Sequence, residues 1–247
     1  MTDSPMADVF WVVGCVVQAA LAAALYTKRV YRTAPRFCVW ILLTLFTALS
    51  LFAVSRCGGS HSYAVVYYTS AAADSALEVA LIMEFAAQSL RQQGRWMTGT
   101  KRTLQVASLL AVLLAATLSL RSQPSTHSAL DSIFVRSTLF VSMLVFLLSL
   151  EVLFFSYESG CIWKLSEMHR FGGFVVWSAM CALTDTLHIY NGNTINFEFL
   201  ETFRSCTSLA VTVYWLATTL LPEKTHVGGD IGNRLQDMYS QHSRSVR

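Results

Sequence analysis

The sequence predicts an all-α polytopic membrane protein, a seven-transmembrane-helix bundle with its amino terminus outside and its carboxy terminus in the cytoplasm (N-out/C-in). Hydrophobic residues make up 54% of the 247-residue chain and charged residues only 13%, whereas about a quarter of the residues of a soluble domain are charged. Seven apolar runs follow one another, each of about eighteen residues or more and so long enough to cross roughly 30 Å of hydrocarbon as a helix. The connections between them carry their basic residues predominantly on one side, which orients the chain.

The runs are Val9 to Tyr26, Phe37 to Val54, Tyr63 to Leu90, Thr103 to Leu120, Ile133 to Tyr157, Phe171 to Ile189 and Phe197 to Leu221. The first follows Asp3 and Asp8 without a basic region or a small-residue cleavage pattern, so it is expected to persist as a span. Behind it comes TKRVYRTAPR with Lys28, Arg29, Arg32 and Arg36. Arg91, Arg95, Lys101 and Arg102 follow the third run, Lys164 and Arg170 follow the fifth, and Lys224, Arg234, Arg244 and Arg247 lie beyond the seventh. Fourteen of the eighteen Lys and Arg thus share one side, while Arg56 and Arg121 fall in opposite loops. The formal charge of +3 reflects this asymmetry and implies no nucleic-acid partner.

Residues 1–221 form the expected bundle, and residues 222–247 a polar cytoplasmic tail. Within the tail, Ile231, Leu235 and Met238 are spaced for a short amphipathic helix on a membrane surface or a partner, but a frayed tail is the reading the composition favours. The outer loops RCGGSHS, RSQPSTHSALDS and YNGNTIN are too short to fold into a catalytic domain. Any chemistry belongs inside the bundle.

None of the four prolines, Pro5, Pro35, Pro124 and Pro222, interrupts a run, so the helices are expected to be unbroken. Small residues recur every fourth position at Ala72, Ala76 and Ala80 and at Ala107, Ala111 and Ala115. Such stripes let helices approach closely in lipid.

Carboxylates inside a span cost about 2.5 to 3.5 kcal/mol each on insertion scales, so Asp74 and Glu78 must face inward. At 100° per residue Tyr67, Ser70, Asp74, Glu78, Leu81, Glu84, Phe85 and Gln88 fall within an arc of about 120°. The third helix is therefore expected to be central, with a polar stripe along most of its length. In the seventh, Glu198, Glu201, Arg204, Ser205, Ser208, Thr212, Trp215 and Thr219 share a comparable arc of about 120°. Arg136 enters the outer end of span five, and Asp185 with His188 lies near the outer end of span six. Converging faces would make an outward-facing ligand or ion cavity of Asp74, Glu78, Arg136, Asp185, His188, Glu198, Glu201 and Arg204. Five acids against two arginines require protons, water or a cationic ligand. The alternative for any single pair, such as Arg204 with Glu201 or Arg136 with Asp74 or Glu198, is a structural tie between helices. Glu84 and Glu151, nearer the cytoplasmic side, are expected to tie to Arg91, Arg95, Lys164 or Arg170.

Several seven-helix chemistries lack their residues. Retinal needs a buried lysine, and Lys28, Lys101, Lys164 and Lys224 all lie in loops or the tail. Bis-histidine haem needs facing histidines, yet only His188 approaches a span. No metal-ligand spacing of Cys and His occurs, and the six cysteines offer no loop-to-loop disulfide because Cys57 alone faces outward. No cofactor, metal or catalytic residue is expected, and the chain reads as a non-enzyme. The proline-marked spans of sugar carriers and the signature triplet and turn of G-protein-coupled receptors are missing as well.

The segments LYTKRVYRTAPRF after span one, ALIMEFAAQSL ending span three, DSIFVRS opening span five and WLATTLLPE closing span seven give the chain its one resemblance. It resembles bacterial seven-span integral membrane proteins of this size, over most of its length but through no motif of known chemistry. The resemblance implies an integral, multi-pass protein of the bacterial inner (plasma) membrane.

Two functions fit these features. The first is a non-enzymatic ligand-binding or sensing bundle, or a subunit of a membrane complex, whose partners are the lipid bilayer and a membrane or cytoplasmic protein met through the inner loops, WKLSEMHR among them, and the tail. The second is a proton- or cation-coupled transporter of a small solute, with Asp74 and Glu78 changing protonation as access alternates. Its unbroken helices count against it.

Overall fold

The computed structural model describes residues 5–57, 59–91, 98–121, 129–158, 164–191 and 197–221. Among the described residues the fold is all α. The helices are α1 (Pro5–Thr27), α2 (Pro35–Cys57), α3 (Ser60–Arg91), α4 (Thr98–Arg121), α5 (Ala129–Glu158), α6 (Leu165–Asn191) and α7 (Phe197–Leu220), with one 3-10 turn at Val30–Arg32. Each helix covers one predicted apolar run, and most exceed it by a few polar residues, because backbone pairing continues where apolar composition stops. The tail, with Ile231, Leu235 and Met238, lies outside the described residues.

Three helical stretches, Pro35–Cys57, His61–Gln88 and Ser132–Tyr157, are long and apolar enough to cross a membrane, and Trp11–Thr27 and Gln105–Arg121 are shorter apolar stretches. α6 and α7 mix Asp185, His188 and Arg204 into their apolar sequence. Leu42, Phe46 and Leu49 of α2 and Leu109, Leu110, Leu113 and Leu114 of α4 are exposed. Contiguous apolar surface of this kind suits contact with hydrocarbon.

Helix ends follow local rules. Pro35 opens α2, where its missing N–H is no loss. Arg29 ends α1 in the left-handed region at φ 56°, ψ 30°, and its N–H donates to the Tyr26 carbonyl at 3.0 Å. A residue with a Cβ pays about 1 kcal/mol for this conformation.

Six helices form a closed ring in the order α1, α2, α3, α5, α6, α7, with α7 returning to α1, and α4 packs outside it on α5. The Ala111 and Ala115 stripe makes that contact, buried against Leu144 and flanked by Phe140 and Met143. Ser119 Oγ donates to the Arg136 carbonyl at 2.7 Å, and Ser108 Oγ to Glu151 Oε2 at 3.0 Å. The α3 stripe behaves otherwise, since Ala72 and Ala76 are exposed.

The ring is filled at one end only. Leu21, Leu25, Phe37, Trp40, Ile41, Leu81, Phe85, Val145, Phe174, Val211 and Trp215 form a buried core around the end that holds the 3-10 turn. Phe37 and Trp40 meet Trp215 edge to face at 5.2 and 5.7 Å between ring centroids, and Trp40 meets Phe174 at 5.6 Å. Trp215 Nε1 donates to the Arg170 carbonyl at 3.2 Å. Gly173 makes this possible, since a Cβ there would collide with the Trp215 indole.

Candidate functional site

Towards the other end the ring encloses a cavity of about 870 Å³, within the size range of small-molecule sites. Six helices line it. Trp11 comes from α1, Thr44, Thr47, Ala48, Phe52 and Ser55 from α2, and Tyr67, Ser70, Asp74, Ser75 and Glu78 from α3. Phe134, Thr138 and Ser142 come from α5, Cys181 and Asp185 from α6, and Arg204 from α7. A smaller cavity of about 290 Å³ shares Tyr67, Tyr68, Phe134, Thr138, Asp185 and Arg204 with it and adds His188 and Leu200. The two are neighbouring chambers meeting at an aromatic lip, where Tyr68 stands edge to face with Phe134 at 4.6 Å between centroids.

The polar arc of α3 is oriented as its 100° spacing predicts. Its first half, Tyr67 to Glu78, lines the cavity, and its second half, Leu81 and Phe85, enters the core. Each cavity carboxylate of α3 is tethered by an indole. Trp40 Nε1 donates to Asp74 Oδ1 at 2.8 Å, and Trp177 Nε1 approaches Glu78 Oε1 at 3.5 Å. Arg204 Nη1 lies 3.5 Å from Asp185 Oδ1, and its guanidinium stands over the Trp177 ring at 5.9 Å. Asp185 Oδ2 is buried with no hydrogen-bond partner among the described residues.

Five of the eight expected cavity residues are therefore brought together: Asp74, Glu78, Asp185, His188 and Arg204. Arg136 is not among the lining residues of either chamber. It stands about 200° around the helix from Phe134 and Thr138 and about 100° from Val135 and Ser137, which do line the chambers, and its carbonyl meets α4. Glu198 and Glu201 sit on α7, but their side chains lie outside the described residues.

Glu84 has a different role from its two neighbours on the stripe. Its Oε2 accepts the Arg36 backbone N–H at 2.9 Å, in the first turn of α2. Arg36 Nη1 donates to the Ala80 carbonyl at 2.8 Å, while Gln88 Nε2 donates to the Thr33 carbonyl at 3.0 Å. A carboxylate at a helix N-terminus satisfies an orphan donor and meets the positive end of the helix dipole. Of the partners expected for it, Arg170 acts on Glu84 electrostatically, whereas Arg95 and the Arg91 side chain lie outside the described residues. Among the described residues the hydrogen bonds of Glu84 come from Arg36 and Gln88, and that of Glu151 comes from Ser108.

The sequence reading missed Trp40 and Trp177. Their signal was present: an indole N–H in the middle of an apolar run needs a buried acceptor, and Asp74 and Glu78 were the acceptors on offer. Compared with known proteins, the chain matches no protein-family profile, no curated protein and no solved structure. The resemblance to bacterial seven-span proteins thus has no family match behind it, and the cavity itself carries the functional reading.

Proposed function

We propose that this chain is a seven-span integral membrane protein, N-out and C-in, that binds a small molecule in an outward-facing polar cavity, as a sensor or as the binding subunit of a membrane complex. One observation carries the reading: three carboxylates and one arginine from α3, α6 and α7 line a single cavity of about 870 Å³. Ionisable groups inside a membrane bundle are costly unless they face water or a ligand. Structural ties alone would pair every one of them directly, as Arg204 pairs with Asp185 and Glu84 with α2, whereas Asp74 and Glu78 each meet an indole N–H.

The orientation rests on the basic residues. The cavity lies at the end where α2 and α6 finish and α1, α3, α5 and α7 begin, opposite the loop of Lys28, Arg29 and Arg32. By the positive-inside rule that loop is cytoplasmic, so the cavity opens outward. The packed aromatic core then separates it from the cytoplasm. No catalytic group is assigned to the site, and a sensor of this form acts through a partner at the basic loops or the tail.

The test is purification of the full chain from native membranes, followed by mass spectrometry of small molecules and companion proteins. A small molecule retained by the wild type and lost in Asp74→Asn and Glu78→Gln supports a binding cavity; retention unchanged in both variants overturns it. Glu78, the innermost cavity residue of α3, also suits a proton- or cation-coupled carrier. Solute uptake into vesicles, driven by a pH gradient and abolished in both variants, would favour that second reading.

A further inference from the structure

We infer that the ligand of this cavity is an organic cation: an amine or alkylammonium group, attached to an apolar or aromatic body, held between Asp74 and Glu78. The inference rests on the proposal that the cavity binds a small molecule, and it names the chemical class.

The charges lining the larger chamber are unequal. Among the described residues that line it, Asp74, Glu78 and Asp185 stand against one arginine, Arg204, and Arg204 is already engaged with Asp185 and the Trp177 ring. The α3 carboxylates hold one indole N–H each. An indole is a neutral donor and leaves the carboxylate charge in place. A single carboxylate accepts about four hydrogen bonds, so each has acceptor capacity left for a ligand. The buried, unpartnered Oδ2 of Asp185 adds a third acceptor in the same space. A cavity with this surplus favours positive charge and raises its local concentration.

The walls select the kind of cation. Tyr67, Tyr68 and Phe134 stand at the lip through which the two chambers communicate. Aromatic faces attract a poorly hydrated ammonium by about 0.5 to 2 kcal/mol each, and they supply an apolar surface for the rest of the molecule. A bare metal ion uses neither property. Among the described residues no three His, Cys, Asp or Glu side chains are grouped to hold one. A volume of about 870 Å³ also far exceeds the needs of an inorganic ion.

The test reads charge selectivity inside the cavity of the full-length protein. Cys181 lines the chamber and serves as one reporter once Cys15, Cys38, Cys57, Cys161 and Cys206 are replaced by serine. Ser75→Cys, in a background that also lacks Cys181, is the second. Each is modified by a trimethylammonium thiosulfonate and by a sulfonate thiosulfonate, with rates normalised to a free thiol. The cationic reagent is expected to react at least about tenfold faster, with the preference shrinking towards unity in Asp74→Asn and Glu78→Gln. Phenethylammonium at millimolar concentration is expected to protect the reporters, while phenylacetate and 2-phenylethanol do not.

Equal rates for the two reagents, or protection by the anion or the alcohol as strong as by the amine, overturn the cation assignment and leave a binding cavity standing. Failure of phenethylammonium to protect overturns it as well. If neither reporter reacts with either reagent, the chamber is closed to solutes and both this assignment and the proposed function fall. The wild-type selectivity needs no acid substitution, so a poorly folding variant does not blunt the result.

Discussion

The two ends of the ring are built from the same six helices, yet one is packed with aromatic side chains and the other encloses about 870 Å³. α3 shows the difference within one helix. Glu84, at the packed end, meets the start of α2 and finds a backbone N–H at 2.9 Å. Asp74 and Glu78, about three and two turns away, each meet a single indole N–H. A buried carboxylate fully absorbed into local hydrogen bonding is architecture; one that keeps acceptor capacity and adjoins a cavity is available for a ligand.

If this division is right, the largest losses of stability come from the packed end. Trp215→Ala removes the ring that joins Phe37, Trp40 and the Arg170 carbonyl and is expected to cost about 3–5 kcal/mol, measured by unfolding in mixed micelles. Gly173→Ala places a Cβ against the same indole and is expected to cost about 1–3 kcal/mol through overpacking. Glu84→Ala frees the Arg36 N–H and should cost about 2 kcal/mol, the range for a hydrogen bond to a charged group.

At the open end the same assay should show little. Asn and Gln keep an oxygen for the indoles, so Asp74→Asn and Glu78→Gln are expected to change stability by less than about 1 kcal/mol while changing what the cavity admits. A loss above that at either position would make these acids structural and break the comparison. The smallest effect is expected at Arg29→Gly, where relief of the left-handed backbone stabilises by up to about 1 kcal/mol, less whatever the lost charge contributed.

Helix number, extent and the facing of α3 were all readable from the sequence, because apolar run length and a 100° step determine them. The Ala111 and Ala115 contact was readable for the same reason. What escaped depends on which helices are neighbours. Arg136 looked like a cavity residue because of its depth, but depth does not decide lining: its neighbours Val135 and Ser137 border the chambers and Arg136 does not. Glu84 seemed destined for a basic loop residue, because an unfilled backbone N–H on another helix leaves no mark in side-chain chemistry. The indole tethers were equally hidden, since a tryptophan in an apolar run reads as packing until its partner is known.

The position of α4 outside the ring has one more consequence. A chain that crosses back and forth alternates direction, and two helices that set out from the same end cannot follow each other without a return stroke between them. α4 is that stroke: it carries the chain back along the outside, so that α3 and α5 lie side by side running the same way, as α7 and α1 also do. The first halves of all four then sit at one level, which is why side chains as distant in sequence as Trp11, Asp74, Phe134 and Arg204 open onto one hollow.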